Sequence, residues 1–199
     1  MIRNKLYASA NPGWHIAADG WCTQANRQDS PNYNARPDPS DISLIVIHNI
    51  SLPAGQFGGS AITELFQNCL DCSAHESFES LRDVEVSSHF LIRRDGVLLQ
   101  FVSTLDRAWH AGVSSFDGRA ACNDFSIGVE LEGTDDLPFE TAQYDSLVLL
   151  TQALLARFTI TNIVGHDEIA PDRKTDPGPC FDWALYERRI AQDNRIQSN

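Results

Sequence analysis

The chain has 199 residues, 42% hydrophobic and 21% charged, which excludes disordered and fibrous classes and makes one globular domain over 1–199 the expectation. A formal charge of -12 argues against a nucleic-acid partner, which needs clustered Lys and Arg, and repels anionic membranes. With no run near the ~20 apolar residues that span a bilayer and no basic-then-apolar leader, a cytoplasmic monomer is expected. Its five cysteines (Cys22, Cys69, Cys72, Cys122, Cys180) are then free thiols.

Residues 1–40, rich in Asn, Asp, Pro and Gly, read as an irregular arm, packed on the domain because Trp14, Trp21 and Tyr33 are costly to leave in water. Ser43 to Ile47 is an unbroken apolar run, the pattern of a strand buried on both faces, ending at His48. Ser60 is placed to cap a helix whose apolar positions are Ile62, Leu65, Phe66 and Cys69. SHFLIRR and VLLQFV form a hairpin across a two-residue Asp95-Gly96 turn. In FSIGVELEG, alternation puts Ile127, Val129 and Leu131 on one face and Ser126, Gly128 and Glu130 on the other, so Glu130 projects from a face of small neighbours. A long amphipathic helix follows from about Thr141 to Phe158. The strand NIVG then delivers His166 to a proline-punctuated loop, and Asp182 caps a terminal helix. Hairpin and crossover strands interleaved with helices give an α/β fold with a central mixed sheet flanked by helices.

A hydrolytic metal site needs three His or carboxylate ligands and one open position. His48 and His166 stand at strand ends and Asp176 follows on a loop, so the three can converge at one sheet edge. Spacing alone also fits structural residues held by hydrogen bonds. The loop from His166 to Gly178 is too polar for core and too rigidly punctuated for a linker, which favours a site. Cys69 and Cys72 form a CxxC with no partner pair, and read as surface and core thiols of the helix.

Five blocks, HNISLPAGQFGG, SSHFLIRRDG, RAWHAGVS, CNDFSIGVELEGTD and GHDEIAPDRKTDPGP, resemble the bacterial AmpD family of cytoplasmic N-acetylmuramoyl-L-alanine amidases, in order from about Asn32 to Trp183. The resemblance implies the fold shared with phage-type amidases and peptidoglycan recognition proteins. It implies one Zn2+ per chain on His48, His166 and Asp176, catalysis by Glu130 and Lys174, and a small 1,6-anhydromuropeptide substrate. Glu130 as a salt-bridge partner and Lys174 as a solvated charge stay open. Asn49, Trp109, His110 and Arg119 are the candidate substrate contacts, with His110 equally a second-layer or buried structural residue and His89 a structural residue of the hairpin. Relatives tend to carry Arg where this chain has Glu85 and Ala121; if those arginines bind the peptide or lactyl carboxylates, Arg119, Arg107 or Arg93 would have to compensate. Two other readings remain: an amidase acting on polymeric peptidoglycan, and a binding protein without catalysis.

Overall fold

The run from Leu44 to Ile47 has no polar face to turn to water, so a strand built from it must be covered on both sides. The computed structural model describes residues 2–3 and 13–196 and puts this run in a central strand. In chain order the strands are β1 (Ile2–Arg3), β2 (Asn26–Arg27), β3 (Tyr33–Ala35), β4 (Leu44–Ile50), β5 (Phe90–Ile92), β6 (Leu98–Gln100), β7 (Asp106–Ala108), β8 (Ser115–Phe116), β9 (Arg119–Ala120), β10 (Ser126–Glu132) and β11 (Asn162–Gly165). The α-helices are α1 (Ala61–Phe66), α2 (Thr141–Arg157), α3 (His166–Ile169) and α4 (Trp183–Ile196). Among the described residues the main sheet has seven strands in the order β1-β11-β4-β10-β5-β6-β2. It is mixed: β4 is parallel to β10 and β11, while β1 with β11 and β5 with β6 are antiparallel.

Alternation along β4 sends Ile45 and Ile47 to one face, where they join Ile127, Val129, Leu147 and Ile190 in the main core beneath α2 and α4. Each such fully buried side chain contributes about 1.5–3 kcal/mol. Leu44 and Val46 face the other way, into a smaller cluster with Ala111, Cys122, Phe125 and Val164. This second face is covered largely by irregular chain. The two long helices sit where their periodicity placed them, with the Gln143 side chain accepting the Glu140 N–H at the start of α2 and Asp182 accepting the Leu185 N–H in α4. No helix among the described residues is long and apolar enough to cross a membrane.

Several local expectations are corrected. β4 does not stop at His48 but continues to Ile50, because β10 runs beside it to Glu132. The hairpin loop has three residues, not two: Arg93 N–H donates to Val97 O, Gly96 N–H to Arg93 O, and Gly96 takes φ +84°. α1 ends at Phe66, with Asn68 in a left-handed conformation (φ 58°) just beyond, leaving Cys69 exposed and Cys72 half-buried outside the helix. The Ser60 hydroxyl donates to Glu64 instead of capping the helix. His166 opens a helical turn rather than a loop.

The arm is not irregular throughout, since β2 pairs with β6 and β3 with β7. Trp14 packs on the main core and Trp21 carries the Arg27 guanidinium 3.7 Å from its ring centre. Tyr33, expected to be packed, is 46% exposed on an edge ribbon, where its phenol reaches water. Residues 1 and 4–12 of the arm lie outside the described residues.

A Cβ at Gly96 would sit 2.8 Å from Ala142 O in a left-handed conformation. Gly96→Ala is therefore expected to lower the unfolding free energy by about 1 kcal/mol or more in urea denaturation, with activity per folded molecule unchanged.

Candidate metal centre

Strand register builds this site. In the β4–β10 pair, Ser126 lies opposite Leu44, Gly128 opposite Val46 and Glu130 opposite His48, so period-two alternation turns these six positions, five of them bearing side chains, to the irregularly covered face. β11 pairs with the other edge of β4, Gly165 opposite Ile47, which brings the next residue, His166, to the same end of the sheet. Asp176 returns to His166 because Asp167 N–H donates to Asp176 O (2.9 Å), closing the loop between them.

The three side chains converge. His48 Nδ1 is 3.0 Å from His166 Nδ1 and 3.1 Å from Asp176 Oδ2, and His166 Nδ1 is 3.0 Å from that oxygen. Three lone-pair atoms this close repel unless a proton or a cation lies among them. A tetrahedral ion with bonds of about 2.0–2.1 Å needs ligand atoms about 3.3 Å apart, so each has only to withdraw by about 0.2 Å. Both remaining ring nitrogens have protein partners: His48 Nε2 meets His110 Nδ1 at 2.9 Å and His166 Nε2 meets Ala111 O at 3.2 Å. Glu130 Oε1 is 4.0 Å from His48 Nδ1, and its other oxygen is buried with no hydrogen-bond partner. A buried carboxylate oxygen left unpaired beside such a triangle fits a bound ion and its water.

Burial disfavours charge throughout this layer. It lowers His48 to about 4 despite the Asp176 hydrogen bond, lowers His89 to about 3, and holds His110 well below the usual imidazole range. Burial and then the Asp176 charge push the Glu130 carboxyl well above its usual range, against the pull of Lys174. Burial also pushes Asp176 upward, but hydrogen bonds from His166 and His48 overcome it and hold the group well below an ordinary carboxylate.

An open cleft of about 580 Å³ adjoins the triangle, lined in part by Asn49, Ser51, Asp135, Arg173, Lys174 and Asp176. Of the sequence candidates, His48, His166, Asp176, Glu130, Lys174 and Asn49 are therefore brought together. Asn49 donates to Asp135 Oδ1 (2.7 Å) and Pro177 O (3.1 Å), tying the ligand loop to β4. Trp109 is half-buried with its indole N–H on Asn34 (2.7 Å). His110 stands behind His48.

Arg119 is not brought to the site. It pairs with Asp41 and stacks on Phe125 near the start of β4, roughly 16 Å along the strand from His48 at about 3.3 Å per residue. Arg107 pairs with Asp124, and Arg93 donates to Gly58 O. Sequence reasoning assigned no role to Ser126, Asn123 or Arg36. Alternation marked Ser126 as a neighbour of Glu130, whereas nothing local marks Asn123 or Arg36, whose partners are distant backbone groups.

Two imidazoles and a carboxylate beside a buried carboxyl, at the edge of an open cleft, define a candidate metal-dependent hydrolase. Residues 38–179 match the family described as N-acetylmuramoyl-L-alanine amidase, and the chain belongs to that family, in its AmpD group. It is 54% identical to the 1,6-anhydro-N-acetylmuramyl-L-alanine amidase AmpD of Citrobacter freundii over 174 residues, 86% of this chain and 93% of that protein. The crystal structure of a selenomethionine AmpD derivative matches with a TM-score of 0.85 at 53% identity, covering 86% of this chain and 97% of that one. The Escherichia coli amidase AmiD, solved with the substrate anhydro-N-acetylmuramic acid-L-Ala-D-gamma-Glu-L-Lys, matches with a TM-score of 0.57 at 30% identity, covering 90% of this chain and 66% of that one.

The buried histidines set an acid limit. Imidazoles titrate near about 6.5 when unfolded, but His48 and His89 do so only at about 4 and about 3 in the folded chain. Between those values the unfolded chain binds more protons, so stability is present above about pH 6.5 and is lost as pH falls. Glu130, raised, acts in the opposite direction, one group against His48, His89 and His110. The urea midpoint of metal-free protein should fall steadily from about pH 6.5 to about 4; a flat profile would contradict neutral buried imidazoles.

Proposed function

We propose that this amidase cleaves the amide between the lactyl group of 1,6-anhydro-N-acetylmuramic acid and the L-alanine of a small muropeptide. The setting is cytoplasmic peptidoglycan recycling, with the chain acting as a monomeric domain over 1–199 and one Zn2+ on His48, His166 and Asp176. One observation carries the chemistry: the three ligand atoms lie 3.0–3.1 Å apart with the unpaired Glu130 oxygen beside them, at the edge of an open cleft. The substrate reading is supported by the AmpD relatives, named for anhydromuropeptide cleavage, and by the anhydromuropeptide held by AmiD.

When bound, Zn2+ supplies Lewis acidity toward the scissile carbonyl and makes hydroxide accessible near neutral pH. The chain supplies the rest. Glu130, a buried carboxyl with raised proton affinity, takes the proton of the attacking water and returns it to the leaving amine of L-alanine. Lys174 lines the cleft, and its charge is felt at both Glu130 and His48. Its task in this reading is to stabilise the developing oxyanion, for which one well-placed donor contributes about 3 kcal/mol. The muropeptide is anionic and the chain carries a net charge of -12, so capture depends on this local cation rather than on the global field. Asn49 keeps the ligand loop in place through Pro177 O and Asp135.

Metal analysis combined with mass spectrometry of the products tests this reading. One zinc per chain, with release of an L-alanine-terminated peptide from a defined anhydromuropeptide, is expected. Intact sacculi turned over faster than the free muropeptide would favour the polymer-directed alternative, and muropeptide binding with no cleavage would leave a binding protein. Asp176→Ala should abolish stoichiometric zinc. Glu130→Gln should keep the zinc and lower turnover by roughly 10²-fold or more; undiminished turnover would remove Glu130 from the proton path.

A further inference from the structure

A neutral imidazole binds a cation through its unprotonated nitrogen, so a metal histidine works only when its other nitrogen carries the proton and has an acceptor for it. His48 and His166 both turn Nδ1 toward Asp176. Their Nε2 atoms are served by two consecutive residues, His110 through its ring Nδ1 (2.9 Å) and Ala111 through its carbonyl (3.2 Å). For His110 Nδ1 to accept, its own proton must sit on Nε2, which faces the Ser126 hydroxyl at 3.1 Å. Both nitrogens of His110 are then committed, and neither is left for a substrate.

The ring is seated against β10 at Gly128, where an added Cβ would lie 2.5 Å from its Cγ and 2.7 Å from its Nδ1. The face that places Glu130 thus makes room for His110 at the position before it and anchors it at the one before that. The backbone of the pair is held by buried Asn123, whose Oδ1 accepts the N–H of His110 (3.1 Å) and of Ala111 (2.8 Å). Arg173, on the loop that carries Asp176, donates to the same Ala111 carbonyl (2.9 Å).

We propose that the His110–Ala111 pair, seated by Ser126, Gly128 and Asn123, is a positioning device that selects the proton-bearing nitrogen of both metal histidines and thereby sets affinity for the ion. The inference rests on the reading of His48, His166 and Asp176 as metal ligands. His110 acts through His48 and does not touch substrate.

The test uses the full zinc-loaded chain, titrated with a competing chelator, together with ¹⁵N spectra of the histidine ring N–H groups with zinc bound. His110→Phe should weaken zinc binding by about 10–100-fold, the usual effect of losing an outer-layer partner. His110→Gln, which restores a side-chain acceptor, should recover most of the loss, and Ser126→Ala should show a smaller loss in the same direction. In the spectra, the His48 Nε2–H should be held by its hydrogen bond in the wild type and exchange faster with solvent in His110→Phe, while the His166 Nε2–H, held by the Ala111 carbonyl, should not change. A folded His110→Phe chain with wild-type zinc affinity, or with His48 Nε2–H exchange unchanged, would overturn the proposal; Ser126→Ala decides if His110→Phe does not fold. Failure of the wild type to bind zinc would instead sink the metal reading itself, and the proposal with it.

Discussion

Parallel pairing of β4 with β10 puts His48 opposite Glu130, and the remaining chemistry is arranged around that juxtaposition. Side chains alternate with a period of two, so a slip of β4 by one residue would send His48 into the apolar face beneath α2 and α4, and a slip of β10 by one would put Val129 in the place of Glu130. Burial on both faces forbids such a slip. Ile45, Ile47, Ile127 and Val129 are fully buried, and moving them to the irregularly covered face would forfeit much of the main core. The packing that stabilises the sheet therefore also holds one imidazole of the candidate metal triangle beside the buried Glu130 carboxyl.

The cover of the second face obeys different physics. It has little regular structure of its own, and it is held by polar side chains that reach backbone groups far along the chain. Arg36 is buried and donates to the carbonyls of Thr104, Asn123, Asp124 and Ser126, joining the arm to the segment above the site. Burial lowers its proton affinity to about 10, so it stays charged at neutral pH. Gln100 holds Cys22 N–H and the carbonyls of Gly20 and Val102 in the same manner. Each bond satisfies a backbone group that a helix or strand would have paired internally. The irregular chain is thus kept in place without a ladder, which leaves histidine rings and carbonyls free to face the ligands.

Low polarity in this layer gives neighbouring groups opposite biases. Burial drives Glu130 toward its protonated form and His48 toward its neutral form, while Asp176 is kept ionised by the two histidines. Neutral imidazoles and an ionised carboxylate are the states that bind a cation, and a buried carboxyl with raised proton affinity is one that can accept and hold a proton.

Local pattern determined a definite part of this protein. The double-sided strand at Leu44–Ile47, the alternating faces of β10, the stripe of α2 and the Asp182 cap all depend on residues within a few positions of one another, so their spacing sufficed. The family resemblance singled out His48, His166 and Asp176 as a metal group, and those three side chains converge. Tertiary structure alone decided that Arg119 stays at the far end of β4, that β4 runs past His48, and that His110 backs a ligand. Those outcomes depend on strand register and on hydrogen bonds between residues tens of positions apart. Such contacts exist only once the chain has closed on itself, and they leave no periodicity in the sequence.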